Sequence, residues 1–280
     1  MTGIDLHAHT DRSDGTFTPA ELVKLALARG LTALGVTDHD TTEGVADAEV
    51  AARDTGLEVV PGVELSAMYE GSSVHVLGYW IDREDTELQA ELRRLREDRF
   101  LRGRRMVEKL QALGHPISFE RVRELASGGN VVRPHVAQAL VEVGVVETEE
   151  DAFTPDLIAD GGLADVPKHA LHPLDAMELI DRAGGACVLA HPGMWAGQDT
   201  VPDALIVAMA ERGMAGLEAD HPDHTPEQRD RYRALARALG LVATGSSDCH
   251  GTRYDPVRLG TVTTDPLQFA ALRDRAVRVR

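Results

Sequence analysis

Two histidines one residue apart, His7 and His9 in "IDLHAHTDRSDG", close a short apolar run and are followed by Asp14. The pairing returns near the other end of the chain, where "VATGSSDCH" finishes on Asp248 and His250. Between them "GVTDHDT" places His39, "GVELS" places Glu64, "SVHVLGYW" places His75 and "CVLAHP" places His191. Side chains at i and i+2 of an extended strand point to the same side, so each pair offers two donors to one place. A single histidine at a strand end reads most simply as a hydrogen-bonded packing residue. Eight titratable side chains at or near the ends of successive strands do not, because imidazoles and carboxylates crowded on an apolar rim are costly to desolvate without a compensating cation. The chemistry implied is metal binding by nitrogen and oxygen donors without thiolate, a set that suits manganese, iron or zinc.

The elements that must position these donors alternate between short β-type runs and helices, the pattern of an α/β fold with a parallel sheet. Strands are predicted at "GIDLHA", "LTALGVTD", "LEVVPGVEL", "SVHVLGYW", "ACVLAHP", "AGLEA" and "LVATGSSD". Such a series suggests a barrel, whose function lies at the C-terminal ends of its strands. Helix starts are marked by Thr18, Pro19 and Glu21 and again by "TPEQ" at Thr225, both capping-box patterns. The alternation fails in the middle of the chain. There "EDTELQAELRRLREDRFLRGRRMVEKLQALG" reads as a long charged helix, and "ISFERVRELA", "RPHVAQALVEVG" and "TEEDAFTPDLIADGG" all read as helical. The expected organisation is a barrel over residues 1–98 and 167–280 with a helical insertion subdomain over 99–166.

Lys plus Arg number 29 against 46 Asp plus Glu, a formal charge of −17, and no basic block stands out. The charge argues against long duplex nucleic acid as a partner. Two cysteines, no leader-like start and no long apolar run point to a cytoplasmic protein without a membrane segment.

Taken together, "HAHTDRSDG", "GVTDHDT", "GVELS", "HVLGYW", "AHPG" and "GSSDCHG" resemble the PHP (polymerase and histidinol phosphatase) family across nearly the whole chain. The resemblance implies a distorted seven-stranded β/α barrel of TIM-like type holding three divalent metals, with manganese expected and iron or zinc as alternatives. By position it assigns His7, His9, Glu64 and Asp248 to the first metal. Glu64 is shared with the second, which adds His75 and His191, and Asp14, His39 and His250 hold the third. The insert and "GLEADHPDHTPEQ" look most like the stand-alone branch containing nucleoside 3',5'-bisphosphate phosphatases and trimming exonucleases for short RNA. Two positions depart from relatives: Met194 follows "HPG" where Arg is frequent, and "GLEAD" ends without the usual Tyr.

The expected activity is metal-dependent phosphoester hydrolysis on a small nucleotide, foremost removal of the 3'-phosphate of a nucleoside 3',5'-bisphosphate by a metal-bridged hydroxide. Asp248 is the expected ligand beside that hydroxide, and His221 or His224 in "HPDHTPEQ" the expected proton donor. Arg133 and His135 in "RPH", with Lys168, are the expected phosphate contacts. Rival readings are 5'-to-3' trimming of short oligoribonucleotides, a histidinol-phosphatase-like monoester hydrolase, amidohydrolase-type C–N hydrolysis, and a non-catalytic metal-holding interaction module.

Overall fold

The computed structural model describes residues 3–126, 131–167, 171–194 and 200–278. The apolar runs bracketed by turn residues become seven strands that follow chain order across one sheet: β1 (Gly3–Asp5), β2 (Leu31–Val36), β3 (Glu58–Tyr69), β4 (Ser72–Tyr79), β5 (Ala186–Leu189), β6 (Gly216–Asp220) and β7 (Val242–Gly245). Helices α1 (Pro19–Ala28) and α2 (Glu43–Ala52) follow the first two strands. Next come α3 (Thr86–Ala112), α4 (Phe119–Leu125), α5 (Arg133–Glu142) and α6 (Pro173–Arg182), all between β4 and β5. The last three, α7 (Asp203–Glu211), α8 (Pro226–Ala238) and α9 (Pro266–Arg278), follow β5, β6 and β7. The Thr18–Glu21 and Thr225–Gln228 capping boxes both form and start α1 and α8.

The sheet is not wholly parallel. β1 to β3 and β5 to β7 run parallel, whereas β4 is antiparallel to both β3 and β5. The cause is the connection: only Glu70 and Gly71 separate β3 from β4, both at positive φ (47° and 84°), and a two-residue turn can only reverse the chain. This reversal puts His75 opposite Ser66 of β3, so a residue in the first half of β4 reaches the end of the sheet where its parallel neighbours finish. The extensions of β1 and β7 meet in turn. Ala8 bridges Cys249, with His9 N donating to Cys249 O at 2.9 Å and Cys249 N donating to His7 O at 3.3 Å. His7 and His9 are thereby locked beside Asp248 and His250. Beneath them one apolar cluster joins Ile4, Val60, Leu77, Val188 and Val242, one from each of five strands. Another packs Leu22 and Ala26 of α1 and Val45 and Ala48 of α2 on Leu34 and Val36.

The chain divides into two compact units, one of residues 1–92 with 170–280 and the other of residues 93–169. The second has its own core, with Met106 and Leu110 from α3, Val122 from α4, Val136 and Leu140 from α5, and Ile158. The stretch "TEEDAFTPDLIADGG" is not the expected helix; it forms a short 3-10 turn at Glu150–Ala152 and then irregular turns. A start signal is present, since Thr148 and Asp151 exchange side-chain and backbone hydrogen bonds. Pro155 ends it, removing an N–H and pushing Thr154 out of helical geometry. Among the described residues no helix is long and apolar enough to cross a membrane.

Candidate metal centre

Glu64, in the middle of β3 and 1% exposed, is the hub. Its Oε2 lies 3.3 Å from His7 Nε2, 3.2 Å from His9 Nε2 and 3.0 Å from His39 Nδ1. Its Oε1 lies 2.9 Å from His75 Nδ1 and 3.1 Å from His191 Nε2. Asp248 Oδ1 stands 3.2 Å from both His7 Nε2 and His9 Nε2. Asp14 faces His250 Nε2 at 3.4 Å, His9 Nδ1 at 3.7 Å and His39 Nε2 at 3.9 Å. Three groups each present donor atoms within 4.8 Å of one another: His7, His9, Glu64 and Asp248; His39, Glu64 and His75; and His9, Asp14, His39 and His250. His191 falls outside these groups but contacts Glu64 directly. All nine sequence-predicted ligands are thus gathered around one carboxylate and its neighbours.

The donor set fits cations. His7 Nε2, His9 Nε2, His75 Nδ1, Glu64 Oε2 and Asp14 Oδ1 are buried and make no hydrogen bond, although opposite partners stand close by. These atoms crowd together instead of lying along donor–hydrogen–acceptor lines, and a buried polar atom left so is costly unless an ion satisfies it.

Outer groups fix which nitrogen faces inward in four of the rings. His7 Nδ1 bonds Glu218 Oε1 at 3.1 Å, His250 Nδ1 donates to the Asp248 carbonyl at 3.0 Å, and His75 Nε2 pairs with Ser73 Oγ at 3.3 Å. His9 Nδ1 faces Ser13 Oγ at 3.5 Å, and Ser13 donates to buried Asp38 at 2.6 Å. Buried Asp5 accepts from Ser247 Oγ (2.5 Å), Ser247 N (3.1 Å) and Gly260 N (2.7 Å), which ties the loop carrying Asp248 to β1. Asp248 and His191 adopt positive φ of 47° and 22°, strain of the kind that concentrates at functional sites.

Charge follows the same design. Burial pushes the Glu64 carboxyl up, yet His39, His75 and His7 outweigh it and hold it well below the usual carboxylate range. Asp248 behaves alike, burial being overcome by His7 and His250. Burial drives His75 down to about 4 against the pull of Glu64, so this ring is a neutral donor at pH 7. His9 is lowered by burial but raised to about 10 by Asp248 and Glu64, so a cation entering there displaces a proton.

The PHP-domain pattern matches residues 5–116. A 5'-3' exoribonuclease from Haemophilus influenzae is 34% identical over 88% of this chain and 89% of its own length. The chain belongs to the PHP family. A 3',5'-nucleoside bisphosphate phosphatase from Chromobacterium violaceum is 34% identical over 89% of this chain and 88% of its own. A crystal structure from Bifidobacterium adolescentis, assigned as a metal-dependent phosphoesterase, superposes with a TM-score of 0.89 at 34% identity, covering 98% of this chain and 96% of that one. This PHP protein is accordingly a phosphoesterase with a histidine–carboxylate cluster able to hold metal.

The remaining predicted residues fall into different settings. His221 is fully buried, and its Nδ1 accepts from Asp223 N at 3.2 Å, which leaves the proton on Nε2, 3.4 Å from Asp248 Oδ2. His224 is committed on both sides: Nδ1 donates to Ala219 O and Nε2 accepts from Gly193 N, each at 3.0 Å. In the second unit Arg133 Nη1 pairs with Asp160 at 2.6 Å and its guanidinium lies 5.7 Å from the Phe153 ring. His135 is buried at the start of α5, where Nδ1 accepts from Val132 N at 3.2 Å. Lys168 lies outside the described residues. Glu218 and Asp5 carry no sequence signal beyond an acid inside an apolar run, and Asp38 none beyond its place beside His39 in "TDHD".

Proposed function

We propose that this phosphoesterase binds three divalent ions, manganese first among manganese, iron and zinc, and removes the 3'-phosphate of a nucleoside 3',5'-bisphosphate. His7, His9, Glu64 and Asp248 hold the first ion, Glu64, His75 and His191 the second, and Asp14, His39 and His250 the third. The observation that carries this reading is the division of labour on Glu64, whose two oxygens face different histidines. Bound ions of this kind neutralise phosphoryl oxygens and activate the attacking water. His221 presents its Nε2–H at the edge of the cluster as a hydrogen-bond donor to the charge developing on the leaving oxygen, which takes its proton from water; His224 instead fixes the backbone of Gly193. Arg133, His135 and Lys168 take the phosphate that is not cleaved. A surface carrying a net −17 repels long polyanions while cations at the cluster attract a small one.

Trimming of short RNA from the 5' end is the second reading, favoured by the exoribonuclease relative of equal identity. Comparing kcat/KM on a 3',5'-bisphosphate with that on a short RNA carrying a 5'-phosphate separates the two. Preference for the bisphosphate by about tenfold or more supports the first reading; the reverse preference replaces it with the second.

A further inference from the structure

We infer that Glu218 is a positioning residue that prepares two metal subsites at once, by holding His7 in its ligating tautomer and by fixing the backbone of His191. The inference rests on the ligand sets proposed above. Glu218 lies in β6 and is fully buried. Its Oε1 is 3.1 Å from His7 Nδ1, while Oε2 accepts the His191 N–H at 2.8 Å and stands farther from His7 Nδ1, at 3.4 Å. Since an ionised carboxylate only accepts, the His7 proton is on Nδ1. In the neutral ring, the form that ligates, the lone pair is then on Nε2, the atom 3.3 Å from Glu64 Oε2 and 3.2 Å from Asp248 Oδ1. On the other side, the N–H bond secures His191 at a φ of 22° and so aims its Nε2 at Glu64 Oε1, 3.1 Å away. One side chain therefore orders a ligand of the first ion and a ligand of the second. The third set is oriented differently, with His250 Nδ1 bonded to the Asp248 carbonyl at 3.0 Å.

Glu218→Gln exposes this role because it keeps shape and changes only the acceptor count. An amide offers one oxygen and one NH2 where both neighbours donate. Either the His191 N–H or the His7 Nδ1–H then meets another donor, or His7 moves its proton to Nε2 and can no longer ligate. The first and second ions should bind about 10- to 100-fold more weakly, leaving about one ion per chain at limiting metal against about three in wild type. Zinc titration calorimetry with elemental analysis reads this directly. Ring 15N–1H spectra of the zinc-loaded wild type, with the His7 signal assigned by its loss in His7→Gln, should show an Nδ1–H. That second measurement decides the matter even if Glu218→Gln does not fold. Full metal content at wild-type affinity in Glu218→Gln, or an Nε2–H on His7 in the loaded wild type, overturns the role of Glu218 alone. A wild type that fails to take several ions overturns the ligand sets, and this inference with them.

Discussion

The barrel rim and the helical unit both bury or half-bury polar side chains, but they satisfy them in opposite ways. In the helical unit each described candidate is matched nearby: Arg133 by Asp160 and the Phe153 face, His135 by the N–H of Val132. At the rim, donors and acceptors that approach to about 3 Å leave His7 Nε2, His9 Nε2 and Glu64 Oε2 unsatisfied, while the outer His7 Nδ1 bonds Glu218 at 3.1 Å. Local matching is how a fold stabilises a polar group. Convergence without matching is how a fold prepares a place for an ion it does not itself supply.

The sharpest way to break this contrast is Asp248→Asn. The substitution hardly changes volume but removes a charge that His7 and His250 offset. Turnover should fall on the order of 10^3-fold, with circular dichroism unchanged. A folded variant of near-normal activity would take Asp248 out of the chemistry.

Removing metal tests the same region through stability. If an ion present at about a thousand times its Kd binds only the folded chain, it contributes roughly 4 kcal/mol. A chelator should then lower the melting temperature by about 8–16 °C for each ion removed, at about 2–4 °C per kcal/mol for a chain of this size. Readdition of manganese should restore it. An unchanged melting curve would mean that the unsatisfied rim atoms are not a metal site.

The contrast also explains what was legible in the sequence. All seven strands are, because each is an apolar run closed by turn residues, and so are eight of the rim residues, because they lie at or near strand ends recognisable from local pattern; the role of Asp14 in the following loop came only from the resemblance to the PHP family. The direction of β4 was not read, since β-type composition is blind to chain direction; the short "YEG" connection held that information instead. Residues 148–162 read as helical because their apolar spacing suits a helix, while Thr154-Pro155 and Gly161-Gly162 decide otherwise. Glu218 was hidden for a different reason. Its partner His7 is 211 residues away, and no local spacing can announce a hydrogen bond made across the barrel.

His221 and His224 sharpen the comparison within the barrel, because they lie three positions apart and differ only in how they are matched. His221→Asn should lower kcat by about 10^2-fold on an alkoxide leaving group, much less on a nitrophenyl ester that needs no proton, with metal content unchanged. His224→Asn should act mainly on stability, leaving the Gly193 N–H without its partner at a cost of about 1–3 kcal/mol. Equal kcat losses on both esters for His221→Asn would remove it from the leaving-group step.

Arg133 gives the smallest expected effect and the most informative one, because it asks whether a locally matched residue also serves substrate. Its partner Asp160 is 61% exposed at the side chain, so the pair stabilises the unit by no more than about 1 kcal/mol and is cheaply given up. A phosphate offers the guanidinium fork a stronger, bidentate acceptor. If Arg133 holds the phosphate that is not cleaved, Arg133→Ala should cut kcat/KM on a 3',5'-bisphosphate by about 10- to 100-fold. On the 5'-dephosphorylated counterpart it should change little. If Arg133 serves only the ion pair, both substrates should fall by one factor and the melting temperature should drop slightly. The ratio of the two ratios isolates the second phosphate from every effect on folding or metal content. A value near one leaves Arg133 a structural residue of the helical unit and shifts substrate choice to the RNA reading.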